Sequence, residues 1–280
     1  MVASVHRLGD TAGALDDLML RFRAEADATL REAPELTSLV LAARSAATIE
    51  DAVARRIAGR LADRNLSFEM LHDTFGAALR DDTTIASAIR ADIRAVIERD
   101  PAAGRVIDPL LFFKGFHAIQ THRLCHWLWL KERRDLALYL QSRSSEVFQT
   151  DIHPGAFFGR GIFLDHATVF VVGATAVIDD NVSILHAVTL GGTGKAEGDR
   201  HPKIRSGVLL GAGAKILGPV EVGSCARVAA GSVVMSDVAP NTTVAGVPAK
   251  AVGTTRGSEP SRDMEQMLSP EAHAVFDYVI

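Results

Sequence analysis

From Ile204 to Val234 an aliphatic residue stands at every sixth position: Ile204, Leu210, Ile216, Val222, Val228 and Val234. Four residues after each comes a second small or aliphatic position, Val208, Ala214, Val220, Ala226, Ser232 and Val238. The same beat holds upstream at Val172, Ile178, Ile184 and Leu190, with Ala176, Val182 and Val188 as partners. A period of six fits neither an amphipathic helix nor an alternating strand. It predicts short strands joined by tight turns and stacked as the coils of a parallel β-helix. Two interruptions break the beat. The phase slips by two residues between Leu164 and Val172, and the spacing from Leu190 to Ile204 is fourteen, which predicts a loop of eight extra residues within GGTGKAEGDRHPK. Lys195, Asp199, Arg200, His201 and Lys203 make that loop polar and basic. Coils beneath a loop hold it in place, so a broken repeat is where function is expected.

The first half has another rhythm. LDDLMLRFRAEADATLREA carries apolar residues at helical spacing, and Thr48 followed by Glu50 and Asp51 predicts the start of a helix through DAVARRIAGRLADR. ASAIRADIRAVIERDPA predicts another, stopped by Pro101. The apolar stretch from Pro109 to Arg143 predicts two packed helices broken near Lys131–Arg134. The expected organisation is α+β in two parts: a helical domain at 1–146, a parallel β-helix at 147–252, and a polar, mobile tail at 253–280.

Composition adds bounds. Hydrophobic residues at 48% argue against wholesale disorder, and a formal net charge of −4 gives no reason to expect a nucleic acid. Cys125 and Cys225 have no metal-ligand spacing and are expected as free thiols. No apolar run is long enough to span a bilayer and the N-terminus lacks the apolar core of a signal peptide. The expected location is the cytoplasm, without a membrane partner.

Three blocks in order are more specific: DIHPGAFFGRGIFLDHAT, then SILHAVTLGGTGKAEGDRHPKIR, then GVLLGAGAKILGPVEVG with AGVPAK. Together with PLLFFKGFHAIQTHRLCHWLW and the Arg-Asp-Pro at 99–101, they resemble the serine O-acetyltransferase family. The likeness weakens over the first ninety residues. It implies left-handed coils and transfer of the acetyl group of acetyl-CoA to the hydroxyl of L-serine, the entry to cysteine biosynthesis. No permanent cofactor and no metal are implied.

The resemblance assigns roles that the chemistry accepts. His166 would be the general base, since a neutral imidazole titrates near the working pH. Asp151 would hold its other nitrogen. The two are fifteen residues apart, a little under one coil of eighteen, and neighbouring coils lie about 4.8 Å apart. Asp100 and Asp165 match residues for the amino group of serine, Arg200 one for its carboxylate, and His201 a second imidazole for substrate or oxyanion. Asp100 before Pro101 also reads as the end of a helix. Acetyl-CoA is expected along the outside of the β-helix between subunits, where Gly192, Gly211, Ala212 and Gly213 offer bare backbone. Gly246, Val247 and Pro248 resemble the turn beside the cofactor. Each of these glycines also reads as a repeat corner.

The family further implies a homotrimer, two of which join as a hexamer through the helical domains, and inhibition by L-cysteine. The last residues, Phe276 to Ile280, resemble a tail that enters the active site of O-acetylserine sulfhydrylase, with the terminal carboxylate of Ile280 mimicking an amino-acid substrate. Ala174 and Ser224–Cys225 depart from the family, which often has Glu and Arg-Gly there. His117, His122 and His126 lie in an apolar helix without an accompanying carboxylate and read as packing; His186 has no assigned role. Other classes remain as contrasts: a γ-type carbonic anhydrase using His166, His186 and His201, a sugar O-acetyltransferase, and a non-catalytic scaffold. The first lacks two ligands close together on one coil, and Asp151, His166, Arg200 and His201 together oppose the last.

Overall fold

The computed structural model describes residues 11–194, 197–255, 257 and 259–268. Eight helices come first among them: α1 (Thr11–Glu32), α2 (Thr37–Arg44), α3 (Ile49–Leu61), α4 (Phe68–Asp81), α5 (Thr83–Arg99), α6 (Ile107–Leu111), α7 (Lys114–Leu130) and α8 (Arg134–Phe148). Side chains that compete with the backbone mark their starts. Thr48 Oγ1 accepts from Asp51 N at 3.2 Å, Ser67 Oγ from Met70 N at 3.2 Å, and Asp82 Oδ1 from Thr84 N at 2.9 Å. The apolar stretch breaks between Leu130 and Arg134, as its pattern predicts. Phe22, Ile57, Phe75, Ile89, Leu110 and Phe148 fill the helical core, each fully buried.

The repeats form three parallel ladders, the faces of a prism. One stacks Ile152, Val172, Leu190, Ile216 and Val234; the next Phe158, Ile178, Ile204 and Val222; the third Leu164, Ile184, Leu210, Val228 and Val244. Every sixth residue therefore points inward, and these columns are buried. Removing each such side chain from water stabilises by about 1.5–3 kcal/mol. The small second positions, such as Ala214 and Ala226, are buried at the corners.

Both expected interruptions lie at corners. The two extra residues form the corner from Asp165 to Val169, between the third face and the first. His166, Ala167 and Val169 there adopt left-handed φ of 56°, 62° and 61°. A non-glycine residue in that region costs about 1–3 kcal/mol, and such strain collects at functional sites. The fourteen-residue spacing puts a loop between the first and second faces, from Gly192 to Pro202.

The helical domain lies against the first coil. Gly115 on α7 permits the close approach, since a Cβ there would sit 2.0 Å from Leu164 O. His122 Nε2 and His126 Nδ1 face the carbonyls of Ala156 at 3.1 Å and Pro154 at 2.8 Å, so both rings pack and donate across the junction. At the other end, Thr242–Gly246 and Ala249–Thr254 pair antiparallel around the cis Val247–Pro248 bond. The polar composition after 253 predicts mobility, yet the described part of this segment is tied down. Helix α9 (Pro260–Asp263) buries Ser261, whose N donates to Gly207 O at 3.2 Å and whose O accepts from Ser183 Oγ at 2.6 Å. Main-chain bonds of this kind leave no trace in hydrophobic patterning. The expected partner-binding Ile280 lies outside the described residues.

Candidate active site

A cavity of about 690 Å³ opens where the helical domain meets the third face of the β-helix. Asp100, Pro101, Phe113, Lys114, Asp165 and His166 are among its walls. Asp100 caps α5, and its Oδ1 also accepts from Ala102 N at 2.8 Å, so the helix-ending role and a place in the cavity coexist. Asp165 is half-buried. Burial pushes its carboxyl above the usual range, the His166 ring pulls it down, and the charge of Asp100 raises it again. His166 Nε2 lies 3.6 Å from Asp165 Oδ2, and its side chain is 72% exposed on the strained corner. Lys114 Nζ pins that corner to α7 by donating to Thr168 Oγ1 at 2.7 Å and Gln149 Oε1 at 2.9 Å.

His186, left without a role by sequence reasoning, stacks edge-on to His166 with ring centroids 5.9 Å apart. The signal was present: Leu164 pairs with Ile184, so residue 186 stands one coil above residue 166. The same edge continues upward. Gly213 N donates to His186 O at 2.9 Å, Gly231 N to Ala212 O at 2.8 Å, and the hairpin bearing Gly246, Val247 and Pro248 closes the column. Along it, the bareness of Gly211 serves stacking, because a Cβ would lie 2.6 Å from Ala230 N. Gly213 (φ 72°) is open, and Val247 is exposed.

Arg200 and His201 lie on the opposite edge of the first face, in the loop that also begins with Gly192. Thr175 organises them. Its Oγ1 accepts from Arg200 N at 3.1 Å and His201 N at 3.2 Å, and lies 2.8 Å from His201 Nδ1, which also accepts from Thr175 N. With Nδ1 an acceptor, neutral His201 carries its proton on Nε2. Burial, then the charges of Arg200 and Lys203, hold its pKa below the ordinary imidazole value. Gly173 makes room: a Cβ there would sit 2.0 Å from His201 Nε2. Neither Thr175 nor Gly173 was singled out in the sequence, since each acts only through residues 25 or more positions away.

Asp151 stands exposed on the first face, between the two edges. Its Oδ1 accepts from Gln141 Nε2 at 2.6 Å, so within one chain the expected Asp151–His166 contact is replaced by this bond and His166 faces Asp165. The structure thus gathers Asp100, Asp165 and His166 in one cavity, gathers Arg200 and His201 in a second cluster, and leaves the width of one face between them. Among the described residues no group of three or more His, Cys, Asp or Glu is arranged for a metal, and no helix is long and apolar enough to cross a membrane.

A family model described as serine acetyltransferase, N-terminal, matches residues 18–121, and one for the bacterial transferase hexapeptide (six repeats) matches 201–235. The serine acetyltransferase of Escherichia coli K12 is 56% identical over 210 residues, 75% of each chain. The chain belongs to the serine acetyltransferase family. The crystal structure of the serine acetyltransferase of Brucella abortus in complex with coenzyme A superposes with a TM-score of 0.86 at 55% identity, covering 88% of this chain and 98% of that one. A serine acetyltransferase complex with cysteine matches at a TM-score of 0.88 and 44% identity, covering 90% and 99%. The coils are accordingly those of a left-handed parallel β-helix.

Proposed function

We propose that this protein transfers the acetyl group of acetyl-CoA to the hydroxyl of L-serine, giving O-acetyl-L-serine and CoA. The observation that carries the residue-level reading is the convergence of His166, Asp165 and Asp100 in one cavity on the edge that leads up to Gly213 and Gly246. His166 takes the serine proton as its oxygen attacks the thioester carbon, and Asp100 and Asp165 face the ammonium group. Arg200 pairs with the carboxylate as a planar fork. His201 Nε2–H donates to the oxyanion, because Thr175 occupies the other nitrogen. Asp151 balances the imidazolium once Gln141 releases it.

Acetyl-CoA would run along the edge of the column from Gly246, Val247 and Pro248 past Gly211, Ala212 and Gly213 to His166. Four coil spacings of about 4.8 Å make roughly 19 Å of path, suited to an extended pantetheine arm. Because His166 and Arg200 occupy opposite edges of one face, a complete site takes His166 from one copy and Arg200, His201 and Gly192 from the next. A homotrimer, paired as a hexamer through the helical domains, supplies three such seams per ring. L-cysteine, with sulfur for oxygen, fits the same ammonium and carboxylate groups and would compete with serine.

An acetyl-transfer assay comparing L-serine with galactosides as acceptor tests the activity. Turnover with a galactoside alone would overturn it. For the tail, deletion of Ile280 should abolish calorimetric binding to O-acetylserine sulfhydrylase while leaving acetyl transfer intact; unchanged affinity would reject the tail as anchor.

A further inference from the structure

Asp100 and Asp165 carry like charges into one cavity, from two elements with no covalent reason to stay together. Two carboxylates so placed repel, and something must oppose their separation. A buried polar cluster beneath them, which the chemistry of transfer does not use, grips both elements. Asp92, fully buried on α5, accepts from Arg123 Nη2 at 2.6 Å, Arg123 Nε at 3.1 Å and Gln120 Nε2 at 2.8 Å. Its other oxygen accepts from Ile162 N at 2.8 Å. Arg123 Nη2 donates onward to Gly159 O at 2.8 Å and Nη1 to Phe158 O at 3.4 Å. Two helical turns after Asp92, buried Arg99 donates from Nη1 to Gly161 O at 3.0 Å and to Ser183 Oγ at 3.1 Å.

Four of the five residues from Phe158 to Ile162 are thereby held through their main chain. Ile162 precedes Asp165 by three residues, and Arg99 immediately precedes Asp100. We propose that the Asp92–Arg123 pair, with Arg99, is a positioning device that sets the separation of Asp100 and Asp165 and so tunes the pocket for the substrate's ammonium group. The proposal rests on the reading that those two carboxylates receive that group. A buried ion pair is often no more stabilising than apolar residues of the same volume, so stability alone does not account for it. What the pair adds is direction. Apolar contacts let a strand slide by a fraction of a residue, whereas an N–H and three carbonyls held by fixed donors and acceptors do not.

The test replaces the pair by apolar residues of similar size, Asp92→Leu with Arg123→Met, so that apolar packing survives while the grip of the pair on Phe158, Gly159 and Ile162 is lost and Arg99 keeps its bond to Gly161 O. The expected result is a folded protein with a lowered Tm, because Ile162 N and Gly159 O lose their partners, and a KM for serine raised about tenfold or more. The KM for acetyl-CoA and kcat at saturating serine should stay within about twofold. Ser183→Ala, which removes one contact of Arg99, should raise the serine KM by a smaller factor, and it decides the matter alone if the double variant does not fold. A serine KM unchanged in the clamp variants, or a loss of kcat that follows lost stability with both KM values unmoved, would overturn the proposal. Asp100→Asn serves as the control. A raised serine KM there, with none in the clamp variants, rejects the clamp only; no rise in Asp100→Asn rejects the ammonium-site reading and the clamp with it.

Discussion

At the scale of single residues, the site depends on how nitrogens are occupied. His166 lies exposed on a left-handed corner with Asp165 Oδ2 3.6 Å from its Nε2, within reach of a substrate in the cavity. His166→Asn should lower kcat by about 10²–10⁴-fold with the β-helix intact, measured by thiol release from acetyl-CoA. On the proposed roles, Asp151→Asn should cost less, because it would remove the charge that balances the imidazolium and leave the base. For His201, the decisive neighbour has no side chain. Gly173→Ala would put a methyl 2.0 Å from Cδ2 and Nε2, displacing the ring. If His201 supplies the oxyanion donor, kcat should fall about 10²-fold. A variant with unchanged kcat and an unmoved Tm would remove His201 from that role.

At the scale of elements, α7 carries histidines whose pH behaviour follows from burial. Burial pushes His117 down to about 3, against Leu110 O, which favours the protonated ring; His122 is driven well below 6.5 by burial, then by the charges of His126 and Arg123. In the unfolded chain both take up a proton near 6.5, while in the fold they stay neutral. Stability is therefore full above pH 6.5 and declines as the pH falls toward the folded values. Each ring should remove about 1.4 kcal/mol between pH 7.5 and 5.5. Urea unfolding at the two pH values measures it, and His117→Asn should show a slope smaller by one such increment. The sequence shows these rings only as polar residues in an apolar helix. His117 pairs with Leu110 O of α6 and His122 with Ala156 O of the first coil, 34 positions away, and both pairings depend on how the elements pack, which local periodicity does not predict.

At the scale of the whole molecule, the distance between the two edges of the first face sets the expectation. If each complete site joins His166 of one copy to Arg200 of the next, two inactive proteins should rescue each other. His166→Asn and Arg200→Ala, mixed, dissociated and reassembled, then place an intact His166 beside an intact Arg200 at roughly one seam in four. Activity should recover to about a quarter of the parent's. Recovery of nothing, with reassembly shown by size-exclusion chromatography, would place the whole site within one chain.

The six-residue beat by itself determined the β-helix, because an inward column demands an aliphatic residue at each step and small residues at the corners. Its two breaks located the strained corner of His166 and the loop of Arg200, since extra residues cannot stay inside a coil. The helix break at Lys131–Arg134 and the Thr48 cap were equally local, and equally legible. Tertiary structure alone decided what those pieces do to one another. Coil stacking spent the bareness of Gly211 on packing against the next coil. Thr175, one coil below the loop, fixed the proton of His201, and Gln141 took the bond expected for His166. Bonds from Thr255 N to Asn241 O and from Ser261 N to Gly207 O tie the described part of the last segment to other coils. Each of these joins residues separated by ten or more positions, where sequence spacing carries no information about direction, and only the register of packed elements supplies it.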